Sequence, residues 1–374
     1  MLDLIAIRRD LHRHPEVAFE EHRTAGVVEA ALESLGLQPR RCAGTGVVAD
    51  IAGGGGAGPV IALRADTDAL PVTEQSGVDF SSLTPGKMHA CGHDVHTTVL
   101  LGAAEQLLAR RAELCGTVRL LFQPAEEITR GAAAMVADGA LDGVDAVFGL
   151  HNSPGHAVGV AAFREGPLMA ASDRFRMTIR GTGGHGAMPH MTRDPLVAAA
   201  AVLIGMQTAV SRAVNPLEPV VVSVCRLAGG TTFNVIPDHA ELEGTVRCLA
   251  PAVREAMPAL LEGIARGIAD GYRCTVEFEY ERMVGSVNNE PKATALALGV
   301  AARVLGAGGV AEAALTMASE DFSVYQERVP GCFFWLGSAG PHGFHHPAFR
   351  VDEGCIAVGV RLLSEMALAA GREF

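Results

Sequence analysis

The sequence predicts an α/β protein in two parts: a mixed central sheet flanked by helices, and a small ferredoxin-like α+β unit inserted part-way along the chain. Three observations carry this. At 374 residues the chain exceeds what one core usually fills, so two domains are expected. From residue 95 to 151 helical and strand patterns alternate, the signature of crossover units and largely parallel pairing. Beyond Ser172 the order becomes strand-helix-strand-strand-helix-strand, as in a ferredoxin-like sandwich. The expected boundaries are residues 1–172 and 291–374 for the larger, discontinuous domain and 173–290 for the insertion.

Taken in order, residues 3 to 36 read as a helix pair, with Pro15 between the helices and Gly36 as the stop. GVVADIAGGGGAGPVIALRAD reads as two strands joined by a flexible glycine turn, a hairpin. Next come a helix (TTVLLGAAEQLLARR), a strand (TVRLLFQ), a helix (GAAAMVADGAL) and a strand (AVFGLH). The insertion supplies RFRMTIR, PVVVSVCRL, AELEGTVRCL and CTVEFEYE as strands, with helices at PLVAAAAVLIGMQTAVSRAV and VREAMPALLEGIARGIADG. A helix (KATALALGVAARVLG), an apolar strand (GCFFWLGSA) and a last helix complete the chain.

Composition excludes several classes. No apolar run reaches the roughly 18 residues needed to cross a bilayer, so no membrane partner is expected. The first residues carry charge early and lack a secretory pattern, which makes the cytoplasm the expected location. Net charge is −12 with scattered Lys and Arg, which opposes nucleic-acid binding. Eight cysteines without a CxxC pair argue against a disulfide framework and a zinc knuckle.

The chemistry gathers in a few places. KMHACGHDVHTT, residues 87 to 98, crowds three His, a Cys and an Asp before a helix. In an extended stretch Cys91 and His93 point the same way, toward one metal; the alternative is a polar turn with a buried Cys and Asp94 as a cap. QPAEE sets Glu126 and Glu127 directly after a strand. A nearby cation would relieve their repulsion, whereas two solvated acids opening a helix is the plainer reading. Asp66 and Asp68 follow IALR, and His151 ends AVFGLH, so these residues fall at the carboxyl ends of strands, where open α/β sheets collect ligands. Alone, His151 reads as an ordinary strand-end histidine. GPHGFHHPAF places His342, His345 and His346 in a loop, either functional or simply exposed. RGTGGHGAMPH holds a G-x-G-x-x-G run, but the following strand lacks the acid a ribose needs, which weakens a nucleotide-binding oxidoreductase. The glycines there instead let His185 or His190 approach a substrate closely.

Together RRDLHRHPEVAFEE, LRADTDALP, MHACGHDVHT, LFQPAEE, GLHNSP, GTGGHGAMPH, TTFNVIPDHAELEGTVR and FHHPAF resemble the M20 metallopeptidases, in the amidohydrolase branch with hippurate hydrolase, N-acetyl-amino-acid deacetylases and auxin-conjugate hydrolases. The resemblance runs almost end to end. It implies a zinc-peptidase-like catalytic domain with two divalent cations, Mn²⁺ or Zn²⁺ with Ni²⁺ or Co²⁺ as alternatives. Their ligands map to Cys91, His93, Glu127, His151 and a late histidine. The family's leucine-His-x-Pro pattern selects His345 over His346, with Phe344 in place of the leucine. By the same resemblance Glu126 is the general base and Asp68 the acid that orients a ligand. The insertion becomes a lid and homodimer surface, and His185, Asn234 and Arg247 contact substrate, His185 from a partner subunit in some relatives. The implied reaction is hydrolysis of N-acyl amino acids; dipeptidase or carboxypeptidase activity is the alternative within the family.

Overall fold

In the computed structural model, which describes residues 1–374 apart from the side chain of Ala307, eight strands form one mixed sheet. Their spatial order is Arg40–Cys42, Gly46–Ala52, Thr117–Gln123, Val60–Asp66, Ala146–Ser153, Gly331–Gly337, Ala161–Phe163, Val310–Glu312. The four central strands, from Thr117–Gln123 to Gly331–Gly337, run parallel. Their carboxyl ends therefore open on one edge, and the segments holding Asp68, Glu126, Glu127 and His151 all leave the sheet there. The strands are buried almost throughout, as expected of a parallel sheet covered on both faces.

The hairpin expected at residues 46–66 is absent. Strand Thr117–Gln123 inserts between the two halves, antiparallel to Gly46–Ala52 and parallel to Val60–Asp66. The glycine run between them is not a free turn: the amides of Gly53, Gly54 and Gly55 donate to the carbonyls of Gly116, Arg111 and Leu114. A Cβ at Gly53 would lie 2.0 Å from the Leu114 carbonyl oxygen, so glycine lets this segment dock on the connection leading into the inserted strand.

The helices are α1 (Leu4–Arg13), α2 (His22–Ser34), α3 (His93–Ala109), α4 (Gly131–Ala137), α5 (Pro195–Thr208), α6 (Pro251–Gly271), α7 (Pro291–Leu305), α8 (Ser323–Gln326) and α9 (Gly354–Glu373). Helix α3 packs against α1 and α9, and α9 against α7 and the sheet, around a core that includes Val99, Leu100, Phe122, Phe148, Phe334 and Leu363. The segments Pro195–Ala213 and Gly354–Glu373 meet the length and apolarity of a membrane span, contrary to the reading of the sequence. Packing explains the composition of α9, a core helix, whereas α5 rests one side on a sheet and leaves Leu196, Val197 and Ile204 exposed.

By packing, the chain divides into unit 1 (Met1–Gly166, Asn288–Ala314 and Asp321–Phe374) and unit 2 (Pro167–Val287 and Leu315–Glu320). The insertion thus starts at Pro167 rather than residue 173, ends before residue 290, and takes in a later segment that no local pattern announced. Unit 2 is an antiparallel sheet in the order Val220–Gly229, His239–Cys248, Ala171–Arg180, Thr275–Val284, with α5 and α6 on one face. Second-third-first-fourth is the ferredoxin-like order.

Candidate metal centre

Three loops of unit 1 and the carboxyl end of strand Ala146–Ser153 bring five donor side chains together at one edge of the sheet. Cys91, His93 and His151 offer donor atoms within 4.8 Å of one another, and so do Cys91, Glu127 and His345. Cys91 Sγ lies 3.3 Å from His151 Nε2, and His345 Nε2 lies 3.3 Å from Glu127 Oε2. Glu126 joins His93 and Glu127 in a third such group.

Local backbone explains the convergence. Cys91 and His93 do not sit in an extended stretch. Gly92 has φ 94°, and a Cβ there would lie 2.3 Å from Asn152 Oδ1, so only glycine permits the kink that turns both side chains inward. His93 itself opens α3, four residues earlier than the sequence pattern suggests. Glu126 and Glu127 do not open a helix either: they occupy a turn after Ala125, whose φ of 54° is left-handed, and α4 begins only at Gly131. Both side chains are at most one-tenth exposed, which excludes two solvated acids. His345 is also left-handed, with φ 63°. Such a conformation costs a non-glycine residue on the order of 1–3 kcal/mol and is concentrated at functional sites. His346 turns away, stacking on His342 at 4.2 Å, while its Nδ1 accepts from the Ala348 amide.

The electrostatics suit cations. His93 Nε2 and Glu127 Oε1 are buried and have no hydrogen-bond partner among the described residues, an arrangement that costs about 1–3 kcal/mol per atom unless something binds them. Burial pushes the Cys91 thiol well above its usual range, and the Glu127 charge adds to this. Burial opposes protonation of His93, but the Asp66 charge, helped by the hydrogen bond to Asp68, outweighs it and raises its pKa. His151 is held well below the ordinary histidine range, first by burial and then by the His96 charge, so its ring stays neutral. Divalent cations would satisfy the orphaned atoms, stabilise a thiolate and displace the His93 proton; the mixed thiolate, imidazole and carboxylate set fits transition metals.

A family model for peptidase family M20/M25/M40 matches residues 62–369, a span containing every one of these donors. The chain belongs to that family. An M20 relative, N-acetylcysteine deacetylase of Bacillus subtilis, is 46% identical over 98% of this chain and 96% of its own. An IAA-amino acid hydrolase of Arabidopsis thaliana is 40% identical over 97% of this chain and 86% of its own. Among solved structures, a Bacillus subtilis protein described as a dinuclear metal binding peptidase from the M20 family superposes with a TM-score of 0.89 at 42% identity. It covers 99% of this chain and 98% of its own.

Behind the donors of this M20 chain lies a layer that sequence reasoning largely missed. Asp68 was singled out, and it does two things: Oδ1 lies 3.2 Å from His93 Nδ1, and Oδ2 accepts the Glu127 amide at 3.0 Å. It thereby leaves His93 Nε2 as the free donor and ties the two loops together. His151 Nδ1 donates to the Asn152 carbonyl at 2.8 Å, which likewise frees Nε2. His96, at the third histidine position of the motif, lies between Asp66 (Nδ1 to Oδ1, 2.5 Å) and the backbone amide of Asn152, the residue after His151 (2.9 Å to Nε2). Arg64, fully buried, donates to Gln123, Asp66 and Asp321 at 2.8–2.9 Å, and the Asp321 amide donates to Glu126 Oε1 at 3.4 Å. A charged residue inside the apolar strand VIALRAD was the available signal.

The remaining expected residues belong to unit 2. His185 forms a short ladder with Val235, beside Asn234, and all three are exposed. The His185 Nδ1 accepts the Ala187 amide at 3.0 Å. Arg247 bonds only hydroxyls, Thr245 Oγ1 at 3.1 Å and Ser319 Oγ at 2.7 Å, and its burial lowers its pKa. A half-buried guanidinium without a salt bridge among the described residues can receive a carboxylate.

Proposed function

We propose that this chain hydrolyses the amide bond of N-acyl amino acids, N-acetyl amino acids such as N-acetylcysteine above all, using two divalent cations. The observation that carries the reading is the meeting of Cys91, His93, Glu127, His151 and His345 beside the buried Glu126 carboxylate. The relatives' activities support the substrate class. Cys91 and Glu127 belong with donors on both sides, which suits two neighbouring cations, Mn²⁺ or Zn²⁺ with Ni²⁺ or Co²⁺ as alternatives.

When bound, such a pair acidifies a water and polarises the scissile carbonyl. Glu126 takes one proton from the attacking water as its oxygen bonds to the amide carbon. It then passes that proton to the nitrogen as the C–N bond breaks, and the second water proton follows from the new carboxylic acid to the amine, giving the carboxylate of the acyl group and the amino acid with a protonated amino group. Asp68 keeps the His93 ring oriented throughout. His185 hydrogen-bonds the developing oxyanion with Asn234, and Arg247 receives the α-carboxylate of the substrate.

The enzyme is proposed to be a cytoplasmic homodimer paired through unit 2. Leu196, Val197 and Ile204 of α5 are exposed, and Val220–Gly229 is an edge strand beside it, features suited to a second copy. Eight free cysteines suit a reducing compartment. The test is hydrolysis of N-acetyl-L-cysteine, N-benzoylglycine and simple dipeptides by chelated protein reconstituted with each metal. Turnover of dipeptides alone would overturn the substrate assignment.

A further inference from the structure

The opening motif RRDLHRHPE takes no part in the chemistry above, yet it meets the metal loop. His12 of α1 places Nδ1 2.8 Å from Asp94 Oδ2 and Nε2 3.1 Å from Glu74 Oε1. Arg8 Nε lies 2.9 Å from the same Asp94 oxygen. None of these four side chains is more than 4% exposed. Removing an ion from water costs several kcal/mol even after relaxation, so a buried quartet of this kind is weak as a mere source of stability.

Its position suggests what it does. Asp94 directly follows His93. Glu74 lies in the segment of residues 71–91, which contains no helix or strand beyond the isolated bridge of Met88 to Leu70 and which ends in Cys91. Long irregular segments inside a packed unit have few contacts of their own to define them. Glu74 holds this one internally, its Oε2 accepting the Ser82 amide at 2.6 Å. The same segment reaches the third donor loop: the Gln75 amide donates to the Pro347 carbonyl, and the His345 amide to the Ala90 carbonyl, both at 2.8 Å.

We propose that His12 is a positioning residue of the metal centre: by bonding Asp94 and Glu74 together it clips the irregular segment to the start of α3 and fixes Cys91, His93 and His345 relative to one another. This rests on the metal-dependent reading above, but its readout is metal retention rather than turnover. Helix α1 is thereby part of the site although it contributes no ligand, and Arg8 lies against Asp94, one of the two carboxylates that His12 joins.

The experiment loads wild-type, His12→Ala and Phe80→Leu proteins with Zn²⁺ and follows transfer of the metal to an excess of a colorimetric chelator. Supporting groups of this kind change metal affinity by roughly 10–100-fold, and His12→Ala is expected to release metal faster by that order. Phe80 packs on His12 at 5.5 Å and on Arg8 at 4.8 Å but joins no carboxylates. Its shortening is expected to lower the melting temperature while leaving release at the wild-type rate. If His12→Ala does not fold, Glu74→Gln, equal in length but uncharged, takes its place with the same expectation. Release at the wild-type rate from a folded variant, equal acceleration by Phe80→Leu, or failure of both network variants to fold overturns the inference. Wild-type protein that retains no metal removes the proposed function and this inference together; metal retention with unaltered release in His12→Ala removes this inference alone.

Discussion

The residues of unit 1 that face the proposed cations and the residues of unit 2 proposed to face the substrate are held in opposite ways. Cys91, His93 and His151 are buried, and each histidine is anchored through its second nitrogen, His93 to Asp68 and His151 to a carbonyl. His185 and Asn234 are exposed on a two-residue ladder, and Arg247 rests on two hydroxyls. The difference follows from the tasks. A metal centre needs donors fixed within tenths of an ångström before the cation arrives, and buried hydrogen-bonded layers provide that rigidity. Groups that grip a substrate have to admit it and release it, which suits side chains with few constraints.

That contrast can be broken by experiment, since unit 1 variants should alter metal content or the chemical step, and unit 2 variants kinetics alone. The largest effect is expected from Glu126→Gln, which removes the proton acceptor: kcat should fall by roughly 10²–10⁴-fold with unchanged metal content by elemental analysis. Near wild-type turnover would sink the assignment. His185→Ala should lower kcat by about 10²-fold, the usual scale for an oxyanion donor; a drop in bound metal instead would place His185 among the ligands. Asp68→Asn keeps the shape but weakens the hold on His93, and competition with a chelator should show metal affinity reduced about 10-fold or more. The smallest change is expected from Arg247→Ala. Losing one charge-assisted contact of about 1.5–3 kcal/mol should appear mainly in KM for substrates with a free α-carboxylate, and should vanish for the corresponding amides.

Much of the site was legible because its donors announce themselves locally. Cys91 and His93 lie in one crowded motif, and Glu127 and His151 follow strands whose parallel pairing brings their ends to one edge. What was illegible depends on distant partners. Arg64 finds Asp321 at a separation of 257 residues, and His12 finds Asp94 across 82; neither pairing leaves a periodic trace. The glycine run at residues 53–58 resembled a hairpin turn because a sequence cannot show that a later strand slips between its arms. The geometry at Cys91 and His93 was anticipated for the wrong reason, an extended stretch where Gly92 makes a left-handed kink. The segment Leu315–Glu320 packs in unit 2 although it lies far beyond the insertion in sequence, and only tertiary packing could reveal it.

Everything in this account turns on cations held by five scattered side chains. The most direct test measures metal per chain in active protein by elemental analysis, then follows N-acetyl amino acid hydrolysis as a chelator strips it and divalent metal is returned. Two cations per chain, with activity lost on stripping and regained on return, is the expected result. Undiminished hydrolysis by metal-free protein would contradict it.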